Sequence, residues 1–337
     1  MRRALGFAVL ISIVSCSPPR RPPQARVEPS NPPLNRLMFA GDVMFSRGVR
    51  RQIVTARDPA LPFRKIAPLL SAADIAFVNL ESPFSDRGLY YETGLIFHAP
   101  PEAIAGLNLA GVSLASTANN HARDCGPHGV EFTVAWLRSH GIEPLGSSES
   151  EARTHDGIVL VRHGIRFGFL GYTFDQNNGN WRDTDPRIAM ADPKALCRDI
   201  AALKTRADIV IVSMHHGIEY QPLPSRAQIA FAHAAIDAGA VLVIGHHPHV
   251  IQPEEDYHGG RIFYSLGNLV FDQYQREATQ HGEIVQVSFL GASILATHTL
   301  YVQITPTGPE LESPPQPRQI QKEKSPAAKP LRISPVN

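Results

Sequence analysis

The chain contains 337 residues, of which 43% are hydrophobic, and its formal net charge is +1 at pH 7. This apolar fraction is enough for a packed core of one large domain or two ordinary ones. Nucleic-acid-binding domains usually show a larger basic excess, so the composition favours a globular protein without a nucleic-acid partner.

The first residues, MRRALGFAVLISIVSC, have the pattern of a secretory signal. Two arginines precede an apolar run, residues 4–14, that is too short to span a bilayer as a helix. The run leads into Ile13-Val14-Ser15-Cys16, which resembles the lipobox of bacterial lipoproteins, where the cysteine carries the lipid. We expect residues 1–15 to be removed and Cys16 to anchor the protein outside the cytoplasm, in the periplasm or at the cell surface. The alternative is an ordinary signal peptide with an incidental cysteine.

Two polar, proline-rich segments bound the predicted folded domain. The nineteen residues that follow the lipobox contain seven prolines and have nothing to bury, so residues 16–35 are predicted to form a tether. From residue 305 onward the chain is rich in Pro, Lys, Gln and Ser, and residues 305–337 are predicted to be disordered. A single folded domain is therefore expected over residues 36–304.

Within this domain, short apolar runs typical of buried strands alternate with stretches of helical periodicity. In chain order, the sequence predicts strands at residues 37–40, 75–80 and 112–116, a helix at 129–141, a strand at 164–173, a helix at 192–206, a strand at 209–213, a helix at 225–238, and strands at 241–244, 261–266 and 283–289. This alternation indicates an α/β fold whose sheet is covered on both faces. The sequence does not decide whether the later strands run parallel or antiparallel to their neighbours.

Side chains capable of metal binding or acid–base chemistry follow the carboxyl ends of five predicted strands. In chain order they are Asp42; Asn79 and Glu81; Asn119, Asn120, His121 and Asp124; His215 and His216; and His246, His247 and His249. Each group alone has a structural explanation as a turn, a cap or a solvated surface cluster. Ligands of α/β folds bind at the carboxyl ends of the strands, so we expect these groups to converge on one crevice.

The shared chemistry of these side chains is metal binding. Carboxylate, amide oxygen and neutral imidazole together suit Mn, Fe, Zn or Co, and the scarcity of cysteine argues against a structural zinc site. We expect one or two divalent ions, bridged by a carboxylate if there are two. If residues 246–249 are extended, His247 and His249 share one side as ligands, and His246 takes the other side, where it supports a ligand or contacts substrate.

Five blocks of sequence are similar, in order, to the motifs of the CapA family of poly-γ-glutamate capsule biosynthesis proteins. They are FAGDVMFSRGV, FVNLESPFS, HAPPEAIAGLNLAGVSLASTANNHARDCG, HHGIEY and GHHPHVIQPEEDYHGGRIFYSLGNLVFDQ. The resemblance covers about residues 37–304. It implies the fold of the calcineurin-like metallophosphoesterases, a four-layer α/β/β/α sandwich with mixed sheets and a site for two metal ions.

Carried over to this sequence, the resemblance implies roles for individual residues. The implied metal ligands are Asp42, Glu81, Asn120, His215, His247 and His249. His121 would be the general acid. The candidates for substrate contacts or for support of the ligands are Asn79, Asn119, Asp124, His216, His246, Glu255 and Asn268. Met44 stands where the superfamily has a histidine ligand, so one metal position should be held more weakly than the other.

The resemblance implies a lipid-anchored protein that acts in the synthesis or export of an anionic exopolymer, poly-γ-glutamate. Its expected partners are this polymer, the membrane and membrane-bound synthase or export proteins, and its expected chemistry is metal-dependent hydrolysis. Two alternatives remain open at this point: a non-catalytic scaffold or binding subunit of a polymer export complex, and a stand-alone periplasmic phosphoesterase.

Overall fold

The computed structural model describes residues 32–174 and 185–312. Within these ranges the strands are β1 (Leu34–Val43), β2 (Ile75–Leu80), β3 (Val112–Ser116), β4 (Glu143–Leu145), β5 (Ile158–Arg162), β6 (Ile165–Thr173), β7 (Ile209–His215), β8 (Leu242–His246), β9 (Glu254–Tyr257), β10 (Gly260–Phe263), β11 (Asn268–Val270), β12 (His281–Leu290), β13 (Ser293–Thr305) and β14 (Gly308–Leu311). The α-helices are α1 (Arg47–Ala56), α2 (Ala67–Leu70), α3 (Ile104–Leu109), α4 (Gly126–Ser139), α5 (Pro193–Lys204) and α6 (Arg226–Ala238).

The strands form two mixed sheets. The first has the order β14-β13-β12-β1-β2-β3-β4, with β11 also paired to β1, and the second has the order β5-β6-β7-β8-β10-β9. β1 to β4 are mutually parallel, as are β6, β7, β8 and β10. The last strands, β12 to β14, run antiparallel to their neighbours.

The alternation of side chains along each strand produces four layers. In β1, Leu37 and Phe39 face the second sheet and pack in one apolar cluster with Phe167 of β6 and Ile211 of β7. Met38 and its neighbours on the other face pack against α1 to α4. On the outer face of the second sheet, α5 and α6 cover a separate cluster. Because successive side chains of a strand point to opposite faces, each strand supplies two of these interfaces.

Local capping signals explain where the longer helices begin and end. Ser225 and Gln228 form a capping box at the start of α6, and Gly239 ends the helix in the left-handed region with φ of 110°. The carboxylate of Asp192 accepts a hydrogen bond from the backbone of Ala195 at the start of α5. These helices lie where the sequence predicts them, within three residues at each end. The short helices α1 to α3 were not predicted.

The predicted domain boundaries require correction at both ends. β1 begins at Leu34, inside the predicted tether, and β14 lies beyond the predicted boundary at residue 304. The hairpin between β13 and β14 turns at Gly308, whose φ is 111°, and pairs Thr305 with Gly308. Because β14 is short, it changes the amino-acid composition of the C-terminal segment little. The composition therefore assigned β14 to the predicted disordered tail.

Several expectations lie outside the described residues. They are the signal peptide, Cys16, most of the tether and the predicted disorder after residue 312. No helix among the described residues combines the length and apolarity needed to cross a membrane. The sequence left open whether Cys125 and Cys197 pair. Both are free thiols in the structure, and Cys197 is exposed.

Candidate metal centre

The register of the two sheets brings the predicted residues to one edge. Asp42 in β1 is opposite Asn79 in β2, and His215 in β7 is opposite His246 in β8. β1, β7 and β8 extend two or three residues beyond their predicted ends, so Asp42, His215 and His246 lie within the strands. Glu81 and His247 follow the strand ends in loops.

Glycines precede two of these positions because neighbouring backbone approaches closely. A Cβ atom on Gly41 would lie 2.1 Å from the carbonyl oxygen of Gly267, and one on Gly245 would lie 2.0 Å from that of Tyr264. Both distances are far below van der Waals contact, so any larger residue would displace the neighbouring backbone. The Gly-Asp and Gly-His pairs are therefore requirements of strand packing at the site.

Two overlapping groups of side chains could each hold a metal ion. Ligand-capable atoms of Asp42, Glu81 and His249 all lie within 4.8 Å of one another, and so do those of Glu81, His215 and His247. Glu81 belongs to both groups, which places its carboxylate between two adjacent positions. This arrangement has the donor types expected of a two-metal site with a bridging carboxylate.

The surroundings of Glu81 test whether this site fits a metal. Both carboxylate oxygens are buried, and neither has a hydrogen-bond partner among the described residues. A buried carboxylate without hydrogen bonds is costly unless it is paired or coordinates an ion. Two imidazole nitrogens lie close by: Nε2 of His249 is 3.6 Å and Nε2 of His215 is 3.8 Å from Oε1 of Glu81. The residues therefore fit a divalent metal centre.

Asparagines connect the two groups. Asn79 donates from Nδ2 to Asp42 at 2.8 Å and lies 3.2 Å from Nδ1 of His215. The amide oxygen of Asn120 lies 2.8 Å from Nε2 of His215, within reach of the second group. Asn119 donates to the backbone oxygen of Leu80 at 2.8 Å and thereby fixes the loop that carries Asn120.

Asn268 orients His249, the last of the predicted histidine ligands. Its amide oxygen lies 3.0 Å from Nδ1 of His249. A proton on Nδ1 leaves Nε2 unprotonated on the side that faces Glu81, which is the form that binds a metal.

The electrostatics of the site also match a metal centre. Burial, followed by the charge of Asp42, raises the pKa of Glu81 well above its usual value. Burial also acts to raise the pKa of Asp42, but hydrogen bonds and charges from His246 and His249 outweigh it and hold this pKa well below its usual value. Burial lowers the pKa of His215, and burial with the charge of His249 lowers the pKa of His247 to about 4. The imidazoles of His215 and His247 are therefore neutral at pH 7, as metal binding requires.

The backbone at the closing histidines differs from the extended segment that the sequence suggested. His247 and His249 have φ of 99° and 58°, in the left-handed region that non-glycine residues rarely adopt. Their side chains still reach the two ligand groups. A left-handed turn, and not the alternation of an extended strand, therefore brings these two side chains to the ligand groups, and their binding of metal stays a prediction.

His246 takes the interior side. Its side chain is completely buried, its Nδ1 lies 3.3 Å from Oδ1 of Asp42, and its ring centroid lies 5.7 Å from that of Phe77. This position favours the predicted role of ligand support, here of Asp42, over a substrate contact.

His121, the predicted general acid, lies at the edge of the cluster. Its Nδ1 lies 2.7 Å from the Asp124 carboxylate, and its ring stacks on Phe97 with centroids 3.8 Å apart. Asp124 is itself fixed by a 2.6 Å hydrogen bond from the backbone of Phe97. This orientation directs Nε2 of His121 towards Glu81, 4.0 Å away. A carboxylate that holds one ring nitrogen leaves the other free to exchange a proton with a bound molecule.

The side chains of His216 and Glu255 have partners outside the two ligand groups. His216 stacks on Phe174 with centroids 3.7 Å apart, and burial lowers its pKa to about 4. Glu255 is a correction: it lies in edge strand β9, where its carboxylate accepts a 2.6 Å hydrogen bond from Tyr264 and contacts His233 of α6. The sequence block that contains Glu255 therefore contributes some residues to the ligand groups and others that contact helix α6.

Met44 occupies the place of the expected histidine and has a local partner. Its side chain is completely buried, and its sulphur accepts a hydrogen bond from the backbone of Ser46 at 2.8 Å. The group around Asp42 therefore lacks an imidazole from this position, and the prediction of a weaker metal position on this side stands as a prediction.

Sequence reasoning missed the aromatic rings behind the site. Phe97 stacks on His121, and the ring of Phe271 lies 4.7 Å from that of His249. Arg47 spans both phenylalanines, with its guanidinium carbon 4.6 Å and 5.9 Å from the ring centres, and it pairs with Asp272. Phe271 and Arg47 lie inside the quoted blocks, and Phe97 directly precedes one. A phenylalanine in an apolar run, however, cannot be distinguished from a core residue by sequence.

The fold is a metallophosphoesterase-like α/β/β/α sandwich, and solved structures share it. A hypothetical protein from Thermus thermophilus is 18% identical with a TM-score of 0.51, over 80% of this chain and 99% of that one. A novel phosphatase from Mycoplasma pneumoniae is 14% identical with a TM-score of 0.52, over 81% of this chain and 94% of that one. At these identities the likeness concerns the fold alone.

The family follows from the sequence comparisons. The family described as bacterial capsule synthesis protein PGA_cap matches residues 36–273, and the chain belongs to this family. The PGA biosynthesis protein CapA of Bacillus subtilis (strain 168) is 33% identical over 239 residues, which are 70% of this chain and 63% of that protein. The capsule biosynthesis protein CapA of Bacillus anthracis is 33% identical over 246 residues, 70% of this chain and 60% of that protein. The match thus spans less than two thirds of each relative.

Proposed function

We propose that this protein is a metal-dependent hydrolase of the cell envelope that acts on poly-γ-glutamate during capsule synthesis or export. The observation that carries the proposal is the carboxylate of Glu81, buried without a hydrogen-bond partner between two groups of ligand-capable side chains. Membership of the capsule synthesis family and the names of the Bacillus relatives support the choice of polymer.

The side chains divide between holding metal and moving a proton. Asp42, Glu81 and His249 would hold one ion, and Glu81, His215 and His247, with the amide oxygen of Asn120, would hold the other. Bound divalent ions would supply an activated water and polarise the carbonyl group of the scissile bond.

The proton for the leaving group comes from this chain. In amide hydrolysis, water adds across the C–N bond and the departing amine takes up a proton. His121 is the group placed to give this proton from Nε2, because Asp124 holds its Nδ1. Phe97 covers one face of the imidazole and excludes water from that side.

Metal analysis combined with a hydrolysis screen tests the proposal. We expect the purified full chain to bind up to two divalent ions and to shorten poly-γ-glutamate in a reaction that a chelator stops and added Mn²⁺ restores. Product length is measured by electrophoresis. Bound metal without cleavage of any substrate would favour a scaffold role, and cleavage of phosphodiesters alone would favour a phosphoesterase.

Membrane anchoring through Cys16 is a separate part of the proposal, supported by the lipobox-like sequence Ile13-Val14-Ser15-Cys16. Cys16→Ala should release the protein from the membrane fraction or leave it unprocessed, as measured by fractionation and mass spectrometry. Cys197→Ala is the matched control, since this exposed thiol lies on α5. Unchanged membrane attachment and processing of the Cys16 variant would contradict the anchor.

A further inference from the structure

An open cavity of about 270 Å³ lies beside the metal centre. It is lined by Tyr220, Gln273, Gln275, Arg276 and Thr279. The ring centroid of Tyr220 lies 6.3 Å from that of His249, so the cavity is one side chain away from a proposed metal ligand. None of its lining residues is assigned a role in metal binding or proton transfer.

Arg276 is the cationic side chain of this cavity. Its guanidinium carbon lies 4.7 Å from the centre of the Tyr220 ring. Across residues 32–174 and 185–312, no carboxylate lies within salt-bridge distance of this guanidinium, whereas Arg47 nearby is paired with Asp272. An arginine held over an aromatic ring without a carboxylate partner keeps its N–H donors available for an anion.

Hydrogen bonds connect the loop of Arg276 to the site. Oγ1 of the buried Thr279 lies 2.6 Å from the carbonyl oxygen of Gln273 and 2.9 Å from that of Arg276. Asn268 donates to the carbonyl oxygen of Thr279 at 2.9 Å and to the side chain of Gln273 at 3.2 Å. The same Asn268 contacts His249, so the cavity and the metal centre share one supporting residue.

We propose that this cavity is an anion subsite in which Arg276 binds a pendant carboxylate of the substrate, next to the bond that reacts at the metal centre. This inference rests on the proposed function, because it assumes that the substrate is threaded past His249. Poly-γ-glutamate suits the subsite because each repeat carries a free carboxylate beside the amide bond. The aromatic face of Tyr220 would hold the guanidinium in place before the polymer arrives.

A binding experiment tests the subsite without requiring turnover. The probes are a short fluorescent oligo-γ-glutamate and the same oligomer with its carboxylates converted to neutral amides, titrated into the full-length protein with Mn²⁺. Arg276→Gln should weaken binding of the acidic oligomer about tenfold or more at low salt and leave the neutral oligomer unaffected. Arg276→Lys should recover part of the loss.

Arg51→Gln is the matched control, since Arg51 is an exposed arginine of α1 that faces Glu92 at 3.7 Å. It should bind both oligomers like the unaltered protein. Metal content of every variant is measured, so that a loss of ions is not mistaken for a loss of the subsite.

Three outcomes would overturn the subsite. First, the Arg276→Gln variant could bind the acidic oligomer as tightly as the unaltered protein does. Second, the variant could lose affinity equally for the acidic and the neutral oligomer. Third, the unaltered protein could fail to bind the acidic oligomer. Inorganic phosphate is titrated in parallel, and a loss confined to phosphate would reject the carboxylate assignment. Absence of hydrolysis would reject the proposed function but would leave these binding results intact.

Discussion

Glu81→Gln is expected to reduce metal binding at both positions, because this carboxylate is shared by the two ligand groups. The amide has almost the same shape but carries no charge, so it cannot bridge two cations. Metal content of the purified variant should fall from up to two ions to less than one, as measured by mass spectrometry of the elements.

The same substitution should separate metal binding from folding. Burial and the charge of Asp42 raise the pKa of Glu81, so the ionised carboxylate does not increase the free energy of unfolding of the metal-free protein. The metal-free variant should therefore unfold at a temperature no lower than that of the metal-free parent. Excess Mn²⁺ should stabilise the parent, by roughly 2.7 kcal/mol at a concentration of 100 Kd, and should stabilise the variant far less.

Glu255→Gln is the matched control for this experiment. Glu255 was predicted to contact substrate or to support the ligands, but its carboxylate contacts Tyr264 and His233 and lies outside both ligand groups. Its replacement should leave metal content unchanged. A Glu81→Gln protein that still binds two ions with parental affinity would show that the carboxylate is not a bridging ligand.

The His121→Ala variant is expected to retain its metal ions but to lose most of its hydrolytic activity. His121 belongs to neither ligand group, so metal content and thermal stability with Mn²⁺ should stay close to those of the parent. Loss of the general acid should lower the rate of polymer cleavage by roughly 10²–10⁴-fold, the usual contribution of such a group. The measurement is kcat on poly-γ-glutamate under saturating Mn²⁺.

His128→Ala provides the histidine control for this experiment. His128 lies on α4, and its Nε2 is 2.6 Å from Asp86, at a partly exposed position. Its replacement should leave kcat unchanged. If polymer production in cells survives His121→Ala but is lost with His247→Ala, the catalytic interpretation is wrong, and the metal serves binding or structure.

The sequence was informative wherever one local signal was sufficient. Continuous apolar runs placed the main strands, and capping residues such as Ser225 and Gly239 placed α6. The α/β/β/α fold itself came from the family resemblance, since periodicity shows that a strand is buried but not which sheet it joins. The short helices α1 to α3 escaped prediction because segments of four to ten residues carry few turns of periodicity.

By itself the sequence determined which residue types stand at the ends of the strands, because the apolar pattern and the polar residues that interrupt it are local properties. Only the tertiary structure decided that Glu81 lies between two ligand groups, and that Glu255, from an equally suggestive block, faces α6. It also decided the left-handed backbone of His247 and His249 and the cavity of Arg276. These features depend on distances between strands that are far apart in the chain, and those distances are set by the packing of two sheets.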